Sequence, residues 1–213
     1  MKQFATHTLA IPHVSTEFTA FKALLASKPE LSERDEILPF FKGHLQLGSF
    51  ISTYIPDIAN PDLLATEYDL FGDFACDLAV GDSKSHTFLF VEFEDAKRDS
   101  LFVSNGKKVT PEWSPRLEHG FSQVVDWFWK LSDMEKSDEY ENRFGARHVS
   151  IHGLVVVGRD QQLLPRERAR LRWRQDHTII HSKLVSVITF DQLVRDIEFR
   201  LTRYPAAAQA VKT

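Results

Sequence analysis

Phe74-Ala-Cys-Asp77-Leu-Ala-Val80 and His86-Thr-Phe-Leu-Phe-Val-Glu92-Phe-Glu94, with the turn-like Gly81-Asp82-Ser83-Lys84 near the junction, are the stretches that decide the fold. Both outer runs are short, apolar and rich in β-branched and aromatic residues, so they read as adjacent buried strands. Three carboxylates, Asp77, Glu92 and Glu94, are embedded in them. An ionised carboxylate in such surroundings is costly unless something compensates it. Where several acids converge, a divalent cation is the usual compensation. Acids at a strand edge facing solvent would leave the same letters, so the acids alone leave both readings open.

Working outward, residues 15–28 have Phe18, Phe21, Leu24 and Leu25 at helical spacing, with Ser15 or Thr16 as cap and Lys28-Pro29 as stop. Ser32-Glu33-Arg34-Asp35 fits a capping box opening a helix that runs through Phe40, Phe41 and Leu45. Strands are expected at 65–70, 74–80 and 86–94, followed by a polar loop over 95–114. A helix over 115–132, a charged exposed stretch over 133–146, and a strand over 151–157 come next. Pro165 opens an Arg-rich helix, Val185–Thr189 forms a strand, and a helix from Asp191 to Arg203 closes the fold. Strands alternating with helices predict an α/β fold with a mixed central sheet flanked by helices. The expected division is a helical extension over 1–30, one domain over 31–204 and a frayed tail over 205–213.

The chain has 213 residues, 43% of them hydrophobic and 17 of them Phe, enough for a substantial core. With 26 basic and 30 acidic side chains its charge is −4, which does not announce nucleic acid and does not exclude it, because a local basic patch can do that work. The single cysteine, Cys76, forbids an internal disulfide and suits a reducing, cytoplasmic setting. Met1-Lys-Gln-Phe-Ala-Thr lacks the apolar core of a secretory leader, and no apolar run reaches the ~20 residues of a membrane span. Gly-rich phosphate loops, nucleophile elbows and catalytic-Cys motifs are missing, so no nucleotide cofactor is expected. The His148/His152 and His177/His181 pairs lack Cys or Asp partners at zinc spacing, and no structural zinc is expected.

Positions i and i+2 of a strand share a face, so Glu92 and Glu94 lie about 6–7 Å apart along one side. Asp77 meets them if the two strands pair as a hairpin. Asp77, Glu92 and the Phe93 carbonyl would then hold a hard cation such as Mg²⁺, which takes oxygen ligands and keeps several waters. Glu33, at a helix start, either approaches that metal or simply favours the helix terminus. Gln123 and His119, one turn apart on the 115–132 helix, share a face. Gln123 could meet a metal-bound water or solvent, and His119 reads more simply as a packing or surface residue.

These residues bring the chain to a family resemblance. Asp77, a spacer, then Glu92-Phe93-Glu94 after an apolar strand resembles the PD-(D/E)XK nuclease core. Leu31-Ser-Glu33, Leu117-Glu-His-Gly-Phe-Ser-Gln123 and Gly153-Leu-Val-Val-Val-Gly158-Arg159 extend the likeness to the nuclease domain of Shedu antiphage-defence proteins, over about residues 30–200. The resemblance implies a restriction-endonuclease-like αβββαβ core. It also implies a Mg²⁺- or Mn²⁺-dependent DNA endonuclease, a role in antiphage defence and a homo-oligomer. In its active site Asp77 and Glu92 would hold the Mg²⁺ or Mn²⁺, Glu94 would be a third metal ligand or the base for water, and Gln123 and Glu33 would position water or substrate. One departure matters: Glu94 stands where the family usually has Lys, which would position the attacking water and offset phosphate charge. Lys97 could swing in only if the chain bends at Asp95-Ala96. A nuclease-fold module that binds DNA ends or partner proteins without cleaving is the competing class. Glu94 within about 4 Å of Asp77 and Glu92, with a metal bound there, favours the enzyme, and pairing of Glu94 with an Arg such as Arg98 or Arg116 favours the module.

For DNA contact, Arg166, Arg170 and Arg174 recur once per turn on the Arg-rich helix, and Lys97, Lys107, Lys108 and Arg116 lie in or near the long loop. The helix could instead be a solvated face paired with the acidic 133–141 segment.

Overall fold

The computed structural model describes residues 3–106, 108–161, 163–180 and 182–210. Its strands are β1 (Ala5–Thr6), β2 (Leu63–Leu70), β3 (Phe74–Asp82), β4 (Thr87–Phe93), β5 (Phe102–Val103), β6 (Glu112–Trp113), β7 (Ser150–Val156), β8 (Ile179–Ile180) and β9 (Lys183–Ile188). Its helices are α1 (Ile11–Ser27), α2 (Leu38–Gly43), α3 (Leu45–Phe50), α4 (Pro115–Met134), α5 (Asp138–Phe144), α6 (Pro165–His177) and α7 (Phe190–Ala210). Among the described residues, the main sheet runs β1-β2-β3-β4-β7-β9-β8, and β5 and β6 form a separate hairpin. The β2-β3-β4 meander is antiparallel, and β4, β7 and β9 run parallel. The expected mixed sheet flanked by helices is what forms.

Two apolar layers cover the sheet. Leu89, Val91 and Phe93 of β4 face α1, α2 and α7, where Phe41 stacks on Phe93 at 4.2 Å between ring centroids. Phe88 and Phe90 face the other way, toward Trp127 of α4 and Phe144 of α5. The alternation of β4 is thus unbroken up to its acidic end, as the pleat requires. Strands β2 and β3 do break it. Leu64, Leu78 and Val80 join the first layer, but Tyr68, Leu70 and Cys76 join the second. The reversal falls at Glu67, whose φ of 51° is left-handed, a conformation uncommon for a side chain of this size.

Several element boundaries differ from expectation. Helix α1 begins at Ile11, because Pro12 in its first turn needs no N–H partner; Ser15 and Thr16 lie inside it and bond back to Ile11 and Pro12. The turn after Ser32 is a π-turn (Glu33–Ile37), so the side chain that reaches back to Ser32 N belongs to Glu36, at 2.8 Å. The 95–114 loop contains the β5–β6 hairpin. The charged 133–146 stretch is not simply exposed: Ser137 caps α5, Gly145 ends it at φ 76°, and Tyr140 and Phe144 are buried. Helix α7 passes Arg203 and runs through Ala210, while 211–213 lie outside the described residues.

Candidate metal centre

The carboxylates gather where β3 and β4 part. Their ladder ends at Leu78 opposite Val91, although β4 continues to Phe93. Beyond that point a side chain replaces main chain: Phe93 N–H donates to Asp77 Oδ2 at 2.8 Å. The face reversal beside Glu67 is what frees Asp77 from simple alternation. Glu94 remains tied to β7, its N–H donating to Val156 O at 2.9 Å. The three expected metal ligands therefore come from one splayed strand pair.

Helix α4 closes over them. Ser114 caps it, accepting from Leu117 N–H at 3.0 Å and donating to Ser100 O. That fixed start sets the phase that turns Arg116, His119 and Gly120 toward the sheet. Gly120 permits the approach: a Cβ there would lie 2.9 Å from Val155 Cγ1 and 3.1 Å from Glu94 Cγ. Glu94 is fully enclosed, and its Oε1 sits 2.7 Å from His119 Nδ1. One ligand atom each from Glu92, Glu94 and His119 lies within 4.8 Å of the others. Gln123, half-buried, stands one turn beyond His119 on α4.

On the other side Arg116 Nη1 donates to Glu94 Oε2 and to Glu33 Oε2, both at 3.2 Å, and its Nε is 3.4 Å from Asp95 Oδ2. Asp95 also accepts from Glu33 N–H at 2.8 Å and from Lys97 Nζ at 2.8 Å. The structure thus brings Glu33 into the cluster through Arg116. Lys97 is held on Asp95, beside the cluster. Glu94 pairs with Arg116, the condition set for the module, while toward the enzyme's condition it comes within 4.8 Å of Glu92 and His119.

Electrostatics set these acids apart. Burial, then the charges of Asp77 and Glu94, push Glu92 up to about 10. Burial raises Asp77 to about 7 despite the Phe93 N–H, and Glu33, Glu94 and Glu67 add to the rise. Glu33 is raised by burial and by Glu94. Among the described residues Glu92 accepts no hydrogen bond, so no described donor compensates an ionised Glu92. Buried and oxygen-rich, with Arg116 on Glu94 but no described cation acting on Asp77 or Glu92, the cluster fits a hard dication.

The remaining basic candidates divide. Arg174 is largely buried and makes two bonds to Glu118, at 2.6 and 3.1 Å. Arg170 donates to Pro111 O at 2.7 Å and lies over the Trp113 ring, 4.7 Å from its centroid. These two dock α6 onto α4 and the β5–β6 hairpin, whereas Arg166 is exposed. The acidic 138–141 segment pairs instead with Arg143 and Arg147. Lys108 pairs with Glu112. Lys107 lies outside the described residues. His119 is the site residue that sequence reasoning undervalued. Its signal was the Arg116–His119–Gln123 stripe, with Gly120 marking the close approach.

A mixed sheet with a carboxylate–imidazole cluster where two strands part defines an α/β protein with a potential metal centre. The chain belongs to the Shedu family: residues 30–194 match the family described as Shedu protein SduA, C-terminal, a span that includes every member of the cluster. That membership suggests antiphage defence. No curated protein matches the chain. No helix among the described residues is long and apolar enough to cross a membrane.

Proposed function

We propose that this protein is a Mg²⁺- or Mn²⁺-dependent endonuclease that cuts or nicks DNA in antiphage defence, within the cytoplasm. The observation that carries this reading is the convergence of Glu92, Glu94 and His119 beside Asp77, with Glu92 uncompensated by any described group. Asp77, Glu92 and Glu94 would hold the metal. When bound, the cation would polarise the scissile phosphate and acidify a water molecule.

The chain's own groups supply the rest. His119, exposed on its outer side and 2.7 Å from Glu94 Oε1, is placed to take a proton from the attacking water, with Glu94 orienting its ring. Arg116, 49% exposed, has donors for the negative charge that grows on the phosphate, the duty usually given to the motif Lys that Glu94 replaces. Gln123 and Glu33 flank the position of water and substrate. Self-association belongs to the same proposal and is read by light scattering.

The Arg116–Glu94 pair favours a second reading, a nuclease-fold module that binds DNA ends or partner proteins without cutting, because an internal cation already neutralises part of Glu94. Cleavage of supercoiled plasmid and of linear duplex, with Mg²⁺ or Mn²⁺, separates the two. Metal-dependent nicking lost in Glu92→Ala supports the enzyme. Intact DNA alongside salt-sensitive binding that Glu92→Ala preserves supports the module.

A further inference from the structure

Three hollows of about 450, 320 and 450 Å³ adjoin one another around the loop after β7. The first two share Leu25, Ala26, Arg159 and Gln161 as a common wall, and the second and third share Arg195. Together they make a trough from Lys28 and Arg98, past Arg159 and Arg195, to Arg168 and Arg172. Basic side chains in the combined lining outnumber acidic ones seven to four; Lys22 and Lys28 pair with Glu198 and Glu36 outside it, so the five arginines carry the excess in a chain whose net charge is −4.

The two buried acids of this lining organise its cations. Asp160 accepts from both ends of the Arg195 guanidinium, at 3.1 and 2.6 Å, and Asp191 accepts from Arg159 Nε at 2.8 Å. A guanidinium has five N–H donors, so each arginine is held in place with donors to spare. Arg98 and Arg172 are exposed. The trough adjoins the acid cluster, since Gly158 N–H donates to Asp95 O at 2.9 Å and Arg159 N–H to Lys97 O at 3.3 Å. Among the described residues no aromatic side chain lines it, which leaves phosphates rather than base faces for recognition.

We infer that this trough is a phosphate track for a nucleic-acid strand leading to or from the acid cluster, gripping it without regard to sequence. The inference rests on the DNA-directed reading of that cluster and extends it to a second contact surface.

The test is binding of a fluorescent duplex and of the matching single strand in EDTA, across a salt series, so that no cleavage intervenes. Arg98→Ala/Arg172→Ala removes two exposed charges with little risk to folding. Lys84→Ala/Lys136→Ala removes two exposed charges away from the trough. The trough variant is expected to bind about tenfold more weakly and to lower the salt slope by about two, near 0.9 per lost phosphate contact, while the control binds as wild type. Wild-type-like binding by the trough variant, an equal loss in the control, or no nucleic-acid binding by wild type overturns the track. Trough-dependent binding with no metal-dependent cleavage keeps the track and overturns the nuclease reading alone.

Discussion

Glu94 is enclosed on every side, with one oxygen toward Arg116 and the other toward His119. Its position depends on Gly120, which leaves no room for a methyl group. Gly120→Ala should therefore displace Glu94 and cost about 1–3 kcal/mol of stability, with loss of cleavage. Gly153→Ala is the comparison: its methyl would strike Val124 Cγ1, at 2.3 Å, away from the acids. It should lower stability in denaturant melts without abolishing metal binding; equal metal binding by Gly120→Ala and wild type would remove Gly120 from the site's design. Arg116→Ala should leave the metal bound but slow cleavage, because it strips charge from the phosphate side of the cluster. Faster cleavage by that variant would instead mark Arg116 as a brake.

Helix α4 transmits these placements from its first turn, where Ser114 is buried and bonded on both sides. Ser114→Ala should cost roughly 1–2 kcal/mol in urea unfolding. Arg174→Ala should also lower stability, since it severs α6 from Glu118, yet leave the salt slope of DNA binding unchanged. A reduced slope would restore Arg174 as a phosphate contact. The strands β3 and β4 were legible because each is a short apolar run with turn residues beside it, and the acids came with them. Helix α4 was legible as a helix over 115–132, and the structure adds its Ser114 cap. The left-handed Glu67 was not, since nothing local marks a face reversal that only the sheet's two layers reveal. Nor was the role of Arg174, because an arginine stripe reads the same whether it meets solvent, phosphate or Glu118. Tyr140 and Phe144 were masked by the charges around them, although Ser137 and Gly145 bracket a helix that puts both on one face.

Across the whole molecule, the cluster gathers carboxyl groups at one end of the sheet, and the basic trough lies beside it. Asp77 and Glu92 bind protons more tightly folded than unfolded, their values near 7 and 10 standing above the ordinary ~4 of carboxyls. Their contribution to stability is therefore complete below about pH 4 and is lost as pH rises through 7 and then 10. In EDTA, Glu92→Gln should become more heat-stable than wild type as pH rises from 5 to 9. A gap that shrinks with pH would contradict the assignment. Added Mn²⁺ should stabilise wild type most at high pH, where the acids are ionised. Calorimetric titration of Mn²⁺ into EDTA-stripped protein tests directly whether the cluster is a metal centre. Binding by wild type that vanishes in Glu92→Ala is the predicted result. Equal heats from both proteins, or none from either, would contradict it.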